Sequence, residues 1–221
     1  MKLEENYNRV KEVIEKAEVR TGRKPGSVRL IAVTKTVNAA VVRQAVDLGI
    51  TDFGENRVQD AVKKVTAFRG VRWHFIGHLQ SNKVKDVLPY YSMIHSLDRV
   101  SLANEIQRVA EKMDMVADVL IQVNVSGEVS KFGLDPGNLA GFLIKMRSFD
   151  RIKIHGLMTM APFESDPEST RPHFRALKEL RDINARPGVE LKELSMGMTN
   201  DYTVAVEEGA TMVRIGSALF K

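Results

Sequence analysis

Eight short apolar segments alternate with helical patterns along this chain, and that alternation restricts the fold to one class. The strand-like segments span 29–34, 51–54, 72–76, 92–95, 118–124, 152–158, 192–195 and 211–215. Helical spacing fills the intervals at 39–48, 57–68, 80–88, 99–113, 136–149, 168–185 and 200–208. A further helix is expected over 3–21, where Leu3, Tyr7, Val10, Ile14 and Ala17 recur on one face; Gly22 and Pro25 stop it. Asn38 and Asp98 can cap helix starts, and Gly49 and Gly209 helix ends. Strands that alternate with helices build a parallel sheet, either open and doubly wound or closed as a (β/α)8 barrel. The count of eight favours the barrel. So does the sequence after the first strand, where Thr34-Lys35-Thr36 replaces a glycine-rich dinucleotide fingerprint. The last strand ends a few residues before Lys221, so the eighth helix is all but missing and the helix over 3–21 is expected to cover the gap. The expected fold is therefore an α/β protein, a single (β/α)8 TIM-type barrel with an extra N-terminal helix, as one domain over 1–221.

Composition excludes several classes of function. With no cysteine there is no disulfide, no cysteine-ligated cluster and no cysteine nucleophile. The net charge of +5 is spread over interleaved acids and bases, with aromatics only 6%, and no basic run carries aromatic residues. Nucleic-acid binding is not expected. No apolar run reaches membrane-spanning length, and Met1-Lys2-Leu3-Glu4-Glu5 lacks a signal-peptide core, so a cytoplasmic protein without membrane contact is expected. The five histidines show no metal-ligand spacing, and no metal is expected.

The chemistry concentrates at the strand ends. Leu30-Ile31-Ala32-Val33-Thr34-Lys35-Thr36 reads as a buried strand that delivers Lys35 to the mouth of the fold. A desolvated lysine tends towards the neutral amine, the form that condenses with a carbonyl to a Schiff base. In a barrel, the loops after strands seven and eight commonly bind phosphate. Here they read Ser195-Met196-Gly197-Met198-Thr199-Asn200-Asp201 and Arg214-Ile215-Gly216-Ser217. Hydroxyls, glycine and free N–H groups at a helix start suit an anion. Closure makes strand eight the neighbour of strand one, so Lys35 and Arg214 are expected side by side at one rim. A Schiff-base lysine, a fixed cation and a phosphate cup together describe a pyridoxal 5'-phosphate site. Arg214 cannot accept a proton from the pyridine ring, which weakens the cofactor as an electron sink and suits carriage better than strong carbanion chemistry.

These residues are similar to a known family. The chain resembles the pyridoxal-phosphate homeostasis proteins (the YggS/PROSC family), whose barrel is that of the alanine racemase N-terminal domain. The resemblance is carried by Ala32-Val33-Thr34-Lys35-Thr36, Phe53-Gly54-Glu55-Asn56-Arg57-Val58-Gln59 and Trp73-His74-Phe75-Ile76-Gly77-His78 running on to Lys83. It continues through Gln122-Val123-Asn124, Lys131-Phe132-Gly133, His155-Gly156-Leu157-Met158-Thr159-Met160, Leu194 to Thr199 with Asp201, and Val213-Arg214-Ile215-Gly216. It implies Lys35 as the Schiff-base lysine, Ser195, Thr199, Gly216 and Ser217 around the phosphate, and Arg214 near the pyridine nitrogen. Thr199 stands where the family usually has serine, and the chain stops at Phe220-Lys221 where family members often continue.

Asn56 and His78 follow strands two and three and can face the cofactor; for His78 a structural role is an equal alternative. Lys83 and Lys85 are expected at the surface, and Met158 and Met160 in the barrel wall. The stretch 127–133 is either a lid or a connector. The resemblance implies a monomeric carrier of pyridoxal phosphate in intracellular homeostasis, with apo enzymes that use the cofactor as possible recipients. The alternative is a weak pyridoxal-phosphate-dependent amino-acid racemase. In the racemase that the barrel resembles, a second domain supplies the opposite base, and this chain ends where that domain would begin. An adaptor that has lost the cofactor is disfavoured by the intact lysine and cup.

Overall fold

A computed structural model describes residues 2–128, 131–185 and 190–221. The eight strands are β1 (Arg29–Val33), β2 (Asp52–Glu55), β3 (Arg72–Phe75), β4 (Met93–Leu97), β5 (Ala117–Gln122), β6 (Ile152–Met158), β7 (Glu193–Met198) and β8 (Met212–Ile215). They form a closed parallel barrel in sequence order. Closure runs through β8 onto β1, with Ile31 opposite Arg214 and Ala32 opposite Ile215. The helices are α1 (Lys2–Arg20), α2 (Ala39–Asp47), α3 (Val58–Ala67), α4 (Val84–Val87), α5 (Val100–Lys112), α6 (Leu139–Met146), α7 (Arg171–Asn184), α8 (Tyr202–Glu207) and α9 (Ser217–Phe220). This is the TIM-type barrel that the alternation implies.

Period-two alternation sorts the strand side chains. On β8, Val213 and Ile215 join the large cluster between barrel and helices with Phe53, Trp73 and Ile94. Met212 instead joins Ile31, Leu120 and Met158 in a small apolar cluster, against which Met93 and Met160 pack. The two methionines after His155 are thus packing residues. At β6 the backbone itself is the neighbour: a Cβ on Gly156 would lie 1.9 Å from the Glu193 carbonyl oxygen.

The short α9 leaves one flank of the barrel thin, and α1 covers it; Asn6 Nδ2 donates to the Leu219 carbonyl at 2.9 Å. Asn38 caps α2 by accepting from the Val41 N–H at 3.1 Å. Gly49 and Gly209 end their helices with φ of 86° and 101°. Asp98 does not cap α5. That helix starts one residue later, with an extended Arg99 at its cap, and the Asp98 carboxylate instead holds Arg99 at 2.6 Å. The helix expected over 80–88 divides into a 3-10 turn at Ser81–Lys83 and the single turn of α4. The most consequential difference is β7, which runs three residues past its expected end at 195.

Candidate functional site

Parallel closure brings the C-terminal ends of all eight strands to one mouth. There β1, β2, β3, β7 and β8 lead into Lys35, Asn56, His78, Thr199 and Gly216-Ser217. Lys35 lies beyond the end of β1, in a turn closed by the Val37 N–H on the Thr34 carbonyl at 3.1 Å. Its side chain is exposed, not buried at a strand end as its sequence context suggests, because the strand stops two residues earlier. The turn is held from beneath. Lys64 on α3, itself buried, donates through Nζ to the Thr34 carbonyl at 2.7 Å and the Val37 carbonyl at 3.3 Å. It also meets Glu55 Oε1 at 2.5 Å, and the Thr34 hydroxyl donates to that same oxygen at 2.6 Å.

The ends of β7 and β8 touch: the Ala218 N–H reaches Thr199 Oγ1 at 3.4 Å. Gly216 backs onto β1, where an added Cβ would meet Val33 at 3.5 Å. Asp201 closes the turn after β7 by accepting the Met198 N–H at 2.6 Å. Burial pushes the Asp201 carboxyl up, while that N–H and the charge of Arg214 pull against it. Ser195 is not in this turn. Because β7 continues to Met198, Ser195 sits inside the strand, fully buried, with its hydroxyl engaged in the barrel interior. It is withdrawn from the turn where the sequence context suggests an anion site.

Arg214 corrects a second expectation. It lies on the strand next to Lys35 but opposite Ile31, deeper in the barrel rather than level with the rim. Its guanidinium donates through NH1 to Ser195 Oγ at 2.6 Å and through NH2 to the Thr159 carbonyl at 2.8 Å. Burial lowers it to about 10, with the Asp201 charge opposing. Behind Ser195 stand two buried imidazoles. Ser195 Oγ is 3.0 Å from His95 Nδ1, His95 Nε2 is 2.9 Å from His74 Nδ1, and His74 Nε2 is 3.0 Å from Asp52 Oδ1.

Burial holds both imidazoles below the ordinary histidine value. His95 is also repelled by His74, Arg214 and Arg29, while Asp52 partly offsets the shift at His74. Burial alone would raise Asp52, but hydrogen bonds from His74, Arg72 and Thr51 hold it below the usual carboxylate range. A pH dependence of stability follows. Below pH 6.5 the unfolded chain takes up protons at these imidazoles that the folded chain refuses, so stability is lost as pH falls towards the lower folded values. Asp52 acts in the same direction at more acid pH, since its depressed carboxyl contributes above its unfolded value and less below it. Thermal melts are expected to give a lower midpoint at about pH 5 than at about pH 7, with a smaller difference in His95→Leu. An equal difference in that variant would remove His95 as a source.

Asn56 and His78 lie next to each other at the rim, since Gly77 packs so tightly on Asn56 that a Cβ would come within 2.3 Å of its carbonyl oxygen. His78 stacks on Phe132, ring centroids 3.8 Å apart, and its Nδ1 is 3.7 Å from Asp98. Burial lowers its basicity, with Asp98 opposing. Of the stretch 127–133, residues 129 and 130 lie outside the described residues; the remainder is tied to the barrel. Gln122 Nε2 donates to the Phe132 carbonyl at 3.0 Å, and Asn124 Nδ2 to the Glu128 carbonyl at 2.9 Å.

Sequence reasoning missed two groups: Lys64 with Glu55 under the Lys35 turn, and His74, His95 and Asp52 behind Arg214. The second left a signal. On β3 and β4 the histidines alternate with Trp73, Phe75 and Ile94, which face the helices, so His74 and His95 point into the barrel. The first is not visible locally, because Lys64 lies on a helix whose other lysine, Lys63, is exposed. At the opposite mouth lies a cavity of about 560 Å³ lined by Arg29, Asp52, Arg72 and Glu193 among others. Its charges pair with one another, Arg72 to Asp52 at 2.6 Å and Arg29 to Glu193 at 3.6 Å, and it lies at the far end from the lysine and hydroxyl cluster.

Residues 2–221 match the family described as alanine racemase, N-terminal domain. A relative from Aquifex aeolicus named pyridoxal phosphate homeostasis protein is 47% identical, over 98% of this chain and 96% of its own length. A structure of PipY from Synechococcus elongatus with pyridoxal phosphate bound superposes with a TM-score of 0.83 at 34% identity, over 95% of this chain and all of that one. A crystal structure of an unknown protein from Bifidobacterium adolescentis reaches 0.93 at 38% identity, over 99% of this chain and 94% of that one. The relatives' shared name describes homeostasis of a cofactor rather than a reaction.

Proposed function

The chain belongs to the pyridoxal phosphate homeostasis protein family, built on the alanine racemase N-terminal barrel, and from that premise we propose that it holds pyridoxal 5'-phosphate for intracellular homeostasis and carriage. One observation carries the reading. Around the ends of three adjacent strands stand an exposed primary amine at Lys35, a buried cation at Arg214 below the rim, and hydroxyl and backbone N–H groups at Thr199, Gly216 and Ser217. These match the three functional ends of pyridoxal phosphate: aldehyde, ring nitrogen and phosphate. Lys35 takes the aldehyde as a Schiff base, Asn56 and His78 border the ring, and Ser195 supports Arg214 from behind instead of touching the phosphate. When bound, the cofactor would supply an electron sink; with a guanidinium facing its nitrogen that sink is weak, which favours a non-catalytic carrier. The reading takes residues 1–221 as one cofactor-binding domain, monomeric and cytoplasmic, that passes its cargo to apo enzymes.

Purified protein incubated with pyridoxal phosphate is expected to turn yellow and to bleach with borohydride. A protein that stays colourless would sink the reading. Exchange of the α-hydrogen of an amino acid in heavy water at a useful rate would favour the racemase alternative. Thr199→Ala with Ser217→Ala is expected to weaken cofactor retention about a hundredfold or more, two lost hydrogen bonds to a charged phosphate. Equilibrium dialysis checks this, and unchanged affinity would place the phosphate elsewhere.

A further inference from the structure

A continuous file of hydrogen bonds crosses the barrel interior from Arg214 through Ser195, His95 and His74 to Asp52, all of them buried. The direction of each bond follows from elementary chemistry. The Asp52 carboxylate only accepts, so His74 carries its proton on Nε2. A neutral imidazole has one N–H, so His74 Nδ1 is bare and accepts from His95 Nε2 at 2.9 Å. That leaves His95 Nδ1 bare, and it accepts the Ser195 hydroxyl proton at 3.0 Å. The hydroxyl oxygen then accepts from Arg214 NH1 at 2.6 Å. Every member donates towards Asp52, and no bond is left to choice.

The arrangement is self-consistent only with neutral imidazoles. A proton added to His95 would sit on Nδ1 and donate to Ser195. The hydroxyl hydrogen would then lose its acceptor, because Arg214 offers donors only. Arg29 and Arg72, the other cations near this end, stand at Asp52, at 3.9 Å and 2.6 Å. The carboxylate is thereby fixed from the far mouth. At the other end, NH2 of Arg214 is pinned on the Thr159 carbonyl at 2.8 Å, so both terminal nitrogens of the planar fork are set.

We propose that Ser195, His95 and His74 are positioning residues which, anchored at Asp52, fix the Arg214 guanidinium in the orientation that meets the pyridine nitrogen. This rests on the role given to Arg214 under the proposed function. Two measurements test it separately. Nitrogen NMR of isotope-labelled histidines in the cofactor-free protein is expected to show His74 and His95 both neutral and both protonated on Nε2. Protonation of either ring on Nδ1 at neutral pH would overturn the chain whatever the cofactor does. In the loaded protein, Ser195→Ala is expected to shift the visible band of bound pyridoxal phosphate and to weaken its retention about tenfold, one lost hydrogen bond to a charged group. Should His95→Leu give the same shift while His95→Gln, which keeps a donor and an acceptor, restores the band, the proposal is supported. An unchanged band and affinity in both Ser195→Ala and His95→Leu, with folding checked by circular dichroism, would reduce the chain to packing and overturn it. Failure of the unmodified protein to bind pyridoxal phosphate would overturn the proposed function and this claim on the ring together, and is recognised by its appearance before any substitution.

Discussion

Lys35→Ala is expected to reduce borohydride-trapped pyridoxal phosphate to background. Lys35 sits on the rim in a hydrogen-bonded turn, exposed, with no hydrogen-bond or ion-pair partner for its amine among the described residues. Lys64, on the other side of that turn, is buried and commits its ammonium to two carbonyls and a carboxylate. It cannot replace Lys35 without breaking that arrangement. Lys131 and Lys83 are each spent on a neighbouring acid, Glu128 at 3.1 Å and Asp86 at 3.9 Å, though as surface pairs these hold weakly. The hydroxyl and N–H donors near Thr199 and Ser217 remain in the variant, so noncovalent cofactor should still bind more weakly. Peptide mapping after reduction decides the matter. A label of unchanged stoichiometry on another lysine would displace Lys35 from the site.

Lys64→Met is expected to be the most damaging substitution outside the rim. The lysine side chain is 9% exposed and its Glu55 partner 1%. Removing one partner of such a pair leaves an uncompensated charge in the interior, at a cost of about 3–5 kcal/mol. In a chain of this length that lowers the melting midpoint by roughly 10 °C. Glu55 would keep only the Thr34 hydroxyl, since its Oε2 has no hydrogen-bond partner among the described residues. The turn that carries Lys35 would lose two of its supports at the same time, so borohydride trapping should slow. Adding Glu55→Gln removes the stranded charge and should recover part of the stability, which a double-mutant cycle reads directly. A loss under about 1 kcal/mol in Lys64→Met would mean that the pair is relaxed by solvent and that the clamp is not built as described.

Both substitutions concern one short turn, and they separate what the turn presents from what holds it. The Lys35 variant should keep its fold and lose the covalent link. The Lys64 variant should lose stability first and trapping with it. If stability and trapping respond independently in the Lys64 variant, the clamp serves folding alone.

The sequence by itself determined the barrel. Strand and helix periods, the Asn38 cap and the glycine stops at 49 and 209 are local, so they can be read without knowing what lies opposite. Counting to eight implied closure, and closure alone made strand eight the neighbour of strand one. That placed Lys35 and Arg214 on adjacent strands and the Thr199 and Gly216 turns beside them. Tertiary structure decided depth and partnership. Arg214 pairs in register with Ile31 and so lies below the rim, a level set by the stagger between first and last strands. Ser195 moved from the cup to the interior because β7 is longer than its apolar pattern, and a strand position fixes which face a side chain takes. The file from Arg214 to Asp52 joins residues as far apart as His95 and Ser195, one hundred positions along the chain. No local period records such a pairing; only the inward faces of a closed barrel bring those groups within hydrogen-bond distance.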